Sequence, residues 1–329
     1  MFIDFVITWV DSADIKWINK YNHFYSDTFS EMNGEKNFRN WDILKYWFRA
    51  VEENAPWVHK IFFVTEGHLP QWLDTNNEKL VVIKHEDFID KKYLPTFNSN
   101  VIELNLHKIP TLSQHFVSFN DDMFVNGLVE PKDFFDGNLP RDTGVFSPIV
   151  PTPGGIVNIV LNDVTLINKH FDLRSVLKKN WRKYFKLFYG RELMKNILVL
   201  PWKPILGFYD NHTPISYNKD IYTEVYDREK KMFEKTFSHR FRTPEDISHW
   251  LVRYWQLCSG NFSPRKASFG KYYSLGSESE SLIQDLKYQK HKLICLNDSE
   301  VKSEEYVPIH QEIGKAFEER YGKKSSFEK

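Results

Sequence analysis

The stretch HFVSFNDDMF places Asn120, Asp121 and Asp122 directly behind an apolar run, where a strand should end. Adjacent carboxylates there are hard oxygen ligands for Mg²⁺ or Mn²⁺, ions that take one or two carboxylates and share the rest of their shell with a substrate diphosphate. Asp and Asn are also ordinary turn residues at a strand end, so the pair alone leaves both readings open. Glu103 and His107 stand four apart in NSNVIELNLHKI. On a helix they share a face, either a site wall that supplies a base or a surface ion pair. His212 lies in DNHTP, a loop context in which an imidazole can act as general base or touch phosphate. Arg242 in HRFRTPED is expected at the start of a helix. There its fork could grip diphosphate oxygens, or pair with Glu245 or Asp246.

The elements around these residues alternate in type. FVITWV (5–10), KIFFVTEG (60–67), KLVVIKH (79–85) and HFVSFNDD (115–122) read as strands, and KLICLND (292–298) as a later one. WDILKYWFRAVEENAP reads as an amphipathic helix with Ile43, Leu44, Trp47, Phe48 and Val51 on one face and Pro56 at its end. NSNVIELNLHKI is a helix capped by Asn98 or Ser99. Strand–helix–strand alternation predicts an α/β domain with a largely parallel sheet, in which ligands lie beyond the C-terminal strand ends. Three polar clusters fall at such ends: Asp11/Asp14, Thr65/Glu66 and Asn120–Asp122.

VPTPGGIVN (150–158) punctuates the chain. Beyond it, Arg174 to Lys195 holds eight basic residues, one acid (Glu192) and interleaved aromatics. That pattern suits a helix on an anionic membrane, or a solvated face with its aromatics in the core. RTPEDISHWLVRYWQLCSG carries a capping box, Thr243 with Asp246, and a helical period. YVPIHQEIGKAFEERYG is a closing amphipathic helix, and KKSSFEK a polar tail.

Composition narrows the function. Lys plus Arg and Asp plus Glu each number 44, which argues against bulk nucleic-acid binding. Cys258 and Cys295 make neither a zinc spacing nor a disulfide framework, and no apolar stretch is long enough to span a membrane. A cytoplasmic protein, soluble or peripheral on the inner membrane face, is expected. There is no Gly-rich phosphate loop, Gly-x-Ser-x-Gly elbow or His-Glu-x-x-His pair, so kinase, serine hydrolase and zinc protease readings lose support.

Taken together, these segments resemble the Stealth family of sugar-phosphate transferases. The similarity runs through four blocks in order. They are IDFVITWVDSAD; FRNWDILKYWFRAVEENAPWVHKIFFVTEGHLPQWL through LPTFNSNVIELNLHKIPTLSQHFVSFNDDMF; DNHTP with HRFRTPED; and CLND with SSFE. The resemblance implies one catalytic domain over 1–329 with a Rossmann-like, glycosyltransferase-A-like sheet. Its parts would be a nucleotide-sugar half (about 1–150), a helical acceptor- or membrane-facing insertion (about 151–260) and a closing strand and helix (about 261–329). It implies transfer of a hexose 1-phosphate from a UDP-hexose or UDP-N-acetylhexosamine to a hydroxyl of an oligosaccharide, expected to be lipid-linked, with release of UMP. By the same resemblance Asp11, Asp14, Asn98 and Arg39 line the nucleotide-sugar cleft. Asp121 and Asp122 meet a metal and the diphosphate, and Glu103, His212 and Arg242 complete the centre. Where the family pattern calls for Arg-Asp, this chain has Arg39-Asn40, so that carboxylate's role is either weakened or passed to Asp42. A metal-dependent glycosyltransferase releasing UDP uses the same parts and is the main alternative. A non-catalytic glycan-binding module is the other.

Overall fold

Side chains alternating along the central strands explain the layers. In β1 (Ile3–Thr8), Phe5 and Ile7 enter one apolar layer and Val6 the other; in β2 (Ile61–Thr65), Phe63 and Val64 divide likewise. β3 (Leu80–Lys84) and β4 (His115–Phe119) complete a parallel set, and β8 (Ile215–Asn218) pairs antiparallel with β4. The order is β3-β2-β1-β4-β8, the mostly parallel α/β sheet expected, buried on both faces. Two three-stranded sheets adjoin it. One joins β10 (Gly270–Ser274), β11 (Leu293–Asn297) and β5 (Met123–Val125); the other joins β6 (Phe135–Asp136), β7 (Leu139–Asp142) and β9 (Ser263–Pro264). This computed structural model describes residues 1–25, 30–33, 39–151, 156–298 and 301–329, so the middle of the Pro/Gly run lies outside the described residues.

One layer is built on α3 (Leu44–Asn54), α5 (Pro131–Phe134), α11 (Ser279–Tyr288) and α12 (Ser303–Tyr321). α4 (Ser99–Asn105), α6 (Val157–His170), α7 (Leu173–Tyr184), α9 (Lys219–Phe237) and α10 (Trp250–Ser259) build the other. α1 (Ile15–Phe24), α2 (Ser30–Asn33) and α8 (Leu193–Leu198) are shorter or peripheral. The predicted face of α3 holds, with Leu44, Trp47, Phe48 and Val51 buried. Gly260 ends α10 at φ 79°, a left-handed conformation that favours glycine, and a Cβ there would also oblige the Asn180 side chain, 2.3 Å away, to move.

Three local expectations are corrected. Half of the Thr243/Asp246 box forms: Asp246 accepts from the Thr243 N–H, but Thr243 Oγ accepts from the Glu245 N–H, and the pair closes a turn; α10 begins at Trp250. Asp246 is drawn away to Asn98 and His239. The basic segment is broken into α7, a 3₁₀ stretch (Leu187–Glu192) and α8. The tail is docked: Phe327 is 2% exposed, and Glu328 receives both forks of Arg49, at 2.7 Å each.

Candidate active site

In strand order β3-β2-β1-β4 the chain winds one way from β1 and then crosses to its other side, which leaves a crevice at the C-terminal ends of β1 and β4. A cavity of about 1210 Å³ opens there. Its walls run from Thr8 and Glu66, past Asn120–Asp122, to Asn297 and Asp298 at the end of β11. Glu103, Asp121, Asp122, His212, Arg242 and Arg39 all line it.

Asn98, Asp11 and Asp14 do not. Asn98 is fully buried, where it caps α4 through the Asn100 N–H and holds Asp246 at 2.7 Å. Asp14 caps α1 by accepting from the Trp17 N–H, which holds its carboxyl below the usual range. Asp11 accepts from Ala13 in the preceding turn, and its own N–H donates to His68 Nε2. The turn chemistry that spacing left open accounts for both aspartates.

Glu103 projects from α4 at 4% exposure, and burial raises its carboxyl to about 7 against the pull of Arg242 and His212. His249 Nε2 lies 3.6 Å from its Oε2. Burial, with His212 nearby, lowers His249 to about 3, so it faces Glu103 as a neutral ring. Of the two readings that the Glu103/His107 spacing left open, the surface ion pair is not made: His107 is buried against the Tyr222 ring, 5.0 Å away, and burial lowers it to about 3.

Asp121 presents surface to the cavity, yet the surrounding protein and neighbouring Asp122 push it up to about 7. Burial also raises Asp122, opposed by His212 and by a hydrogen bond from Cys295 Sγ at 3.3 Å. Donor atoms of Asp122, His212 and Cys295 lie within 4.8 Å of one another. The carboxylate thus gathers an imidazole and a thiol around it, a grouping that spacing along the chain did not reveal.

His212 takes φ 47°, a left-handed conformation unusual for histidine. Asp210 Oδ1 accepts its backbone N–H at 3.0 Å, and Thr213 bonds Asn211 in the same turn. Behind it, buried Arg253 makes a bidentate pair with Asp142 (2.7 and 2.9 Å), donates to the Tyr209 carbonyl, and reaches Asp210 at 3.4 Å. The imidazole stands edge-on to Trp250 and Tyr272. A buried ion pair therefore sets a loop histidine against the Asp122 carboxylate.

Arg242 sits in the loop before α10, not at a helix start. Its guanidinium bonds Ser99 Oγ and the Met32 carbonyl, and neither Glu245, paired with Lys235, nor Asp246 takes it as an ion-pair partner. Burial lowers its pKa, with Glu103 opposing. Arg39 donates to the Val301 carbonyl at 2.8 Å. Asn40 also lines the cavity, its side chain accepting from the Asp42 N–H. Asp42 is 71% exposed, faces His310 and is not part of the lining.

Residues 37–142 match the family model Stealth protein CR2, conserved region 2, and residues 211–255 match Stealth protein CR3, conserved region 3. Glu103, Asp121 and Asp122 fall in the first, and His212, Arg242 and His249 in the second. Capsular polysaccharide phosphotransferase WcwK of Streptococcus pneumoniae is 49% identical over 329 residues, 99% of this chain and 98% of that protein. Exopolysaccharide phosphotransferase cps2G of Lactiplantibacillus plantarum is 40% identical over 99% of this chain and 96% of its own length. Receptor polysaccharide phosphotransferase WefC of Streptococcus gordonii is 40% identical over 99% and 98%. Among solved structures, the galactosyltransferase LgtC covers 96% of both chains at 8% identity and a TM-score of 0.41.

Proposed function

The chain belongs to the Stealth family, and from that premise we propose that it transfers a hexose 1-phosphate from a UDP-sugar to a hydroxyl of a growing, lipid-linked polysaccharide repeat. The product is a phosphodiester and the leaving group UMP. The observation that carries this reading is the convergence of Glu103, Asp121, Asp122, His212 and Arg242, from remote parts of the chain, on one cavity large enough for a nucleotide-sugar. Relatives across the full chain length bear the name polysaccharide phosphotransferase.

In the proposed step the acceptor oxygen attacks the β-phosphorus in line. The bond from that phosphorus to the oxygen bridging to the α-phosphorus breaks, and UMP leaves with the electron pair. The anomeric carbon keeps all its bonds and its configuration. Little covalent help is needed; positioning and charge neutralisation suffice. Glu103, raised to about 7, is matched to accept the hydroxyl proton near neutral pH. Neutral His249 beside it competes for no charge. Arg242 offers a cation to the transferring phosphoryl group, and His212 a phosphate contact or an alternative base.

The cavity floor suits a divalent cation by its donor chemistry. Asp122 Oδ1 is buried with no hydrogen-bond partner among the described residues, and Asp298 adds negative charge beside both aspartates. Asp121 and Asp122 would hold Mg²⁺ or Mn²⁺, which when bound neutralises diphosphate charge.

The test is to incubate pure protein with Mg²⁺, a panel of UDP-sugars and a capsule-type oligosaccharide, then identify the released nucleotide. UMP with a phosphodiester in the product is expected. UDP would mean attack at the anomeric carbon and would overturn the reading, as would no release from any UDP-sugar.

A further inference from the structure

Of the large apolar side chains exposed among the described residues, eight of seventeen lie between Trp181 and Trp202; an even spread would put about one there, and patches of this kind mark interaction surfaces. Leu187 is 90% exposed, Leu198 63%, Met194 55% and Trp202 49%. The segments that carry them are tied to one another. Asn196 of α8 donates to the Tyr184 carbonyl at the end of α7, Tyr189 donates to the Lys183 carbonyl, and the Leu173 N–H at the start of α7 reaches the Lys203 carbonyl. The patch adjoins the cavity, whose lining includes Phe188 and Arg191.

Cations stand beside it. Arg174, Lys178, Lys179 and Arg182 are exposed on α7, with no carboxylate at ion-pair distance among the described residues. The segment's one acid, Glu192, is already held by Lys195 and Arg191. Lys183 is a different case: its ammonium donates to the Gly260 and Phe262 carbonyls and locks α7 to the end of α10.

We propose that this face, α7 through the Val199–Trp202 turn, docks on an anionic lipid bilayer and holds the cavity mouth at the membrane surface. A protein partner or a second copy would be expected to bring its own acids to meet these cations; a bilayer supplies lipid phosphates for the cations and an acyl boundary for Leu187, Leu198 and Trp202 together. A tryptophan at the headgroup level suits that geometry. The inference extends the proposed function, because a surface-held mouth would meet a lipid-linked acceptor in place, but lipid binding is measured without catalysis.

The experiment is flotation of the full chain with vesicles of phosphatidylcholine, with and without phosphatidylglycerol. Two variants accompany it: Leu198→Glu with Trp202→Glu, and Lys178→Glu with Lys179→Glu. Wild type is expected to float with the anionic vesicles only, in a salt-sensitive manner. Each double variant should lower the partition coefficient onto the vesicles at least about tenfold, since each removes two of the cations or two of the apolar groups that would meet the bilayer. Both should retain nucleotide release with a water-soluble acceptor. The lysine pair decides the matter if the apolar pair does not fold. Wild type that stays unbound, or variants that bind as well as wild type, would overturn the proposal. So would a wild-type dimer that the apolar variant dissociates without any lipid binding. Loss of UMP release with flotation intact would count against the transfer reading alone.

Discussion

Replacing Glu103 by Gln separates the cost of a buried carboxyl from its use. Its pKa is raised from 4.5 to about 7 in the folded protein, chiefly by burial. At 1.36 kcal/mol per unit the difference amounts to roughly 3 kcal/mol. Below pH 4.5 the folded and unfolded chains both hold the proton, and the residue takes nothing from stability. Between pH 4.5 and 7 the unfolded chain releases its proton while the folded chain retains it, so stability drains away as pH rises. Glutamine removes that loss. The variant should match wild type near pH 4.5 and exceed it by about 3 kcal/mol at pH 8, read by urea unfolding across the range. The attraction of Arg242 is already contained in the value of about 7 and does not reverse the sign. Activity should move the opposite way. A lost general base costs about 10²–10⁴ in kcat, and the acidic limb of the pH–rate profile near 7 should vanish. A variant less stable than wild type at pH 8 would refute the burial argument, and a retained acidic limb would refute the role as base.

Asp142→Asn should cost about 3–5 kcal/mol in urea unfolding because it leaves buried Arg253 with only the more distant Asp210 to balance its charge; a loss under about 1 kcal/mol would show the pair to be dispensable. Phe327→Ala should lower stability by about 3 kcal/mol, the range for an emptied aromatic site, whereas a free tail predicts no change in the thermal midpoint. The Asp122, His212 and Cys295 donors suit a softer cation than Mg²⁺. Zn²⁺ or Cd²⁺ should therefore inhibit the phosphotransferase activity, and Cys295→Ser should raise the inhibitory concentration at least about tenfold. Equal inhibition of both proteins would remove the thiol from the site.

Local pattern carried the scaffold well, because strand alternation and the Asn98 cap are written within a few residues of where they act. The two-sided apolar content of β1, β2 and β4 suffices to announce a buried parallel sheet. The strand-end rule also led to Asp121 and Asp122, but it could not tell them from Asp11 and Asp14, whose carboxylates are used by nearby backbone N–H groups. The i, i+4 spacing of Glu103 and His107 left a site wall or a surface ion pair open; Glu103 does line the cavity, but the two do not pair, and the neighbour it has there, His249, is too far along the chain for any spacing rule to find. The Thr243/Asp246 box misled for a related reason. Its acid was claimed by Asn98 and His239, contacts that exist only after the chain has folded back. DNHTP already held Asp210, yet the Asp142–Arg253 pair behind it depends on tertiary contact and left no local signal. Family resemblance pointed to His212 and Arg242; it did not say that Arg242 would rest on Ser99 in a loop.

The antiparallel strand β8 has a consequence for synthesis on the ribosome. It covers the open edge of β4, but it lies about a hundred residues further along the chain. At translation speeds of about 5–20 residues per second the nascent sheet waits roughly 5–20 s with the outer edge of β4 unpaired. An uncovered strand edge is a template for wrong pairing. The four parallel strands can be in place during that interval without a finished site, since its last wall, Asn297 and Asp298, is made later still. Slow elongation between β4 and β8 would lengthen the period in which this protein depends on chaperones, and a pause placed after β8 would not.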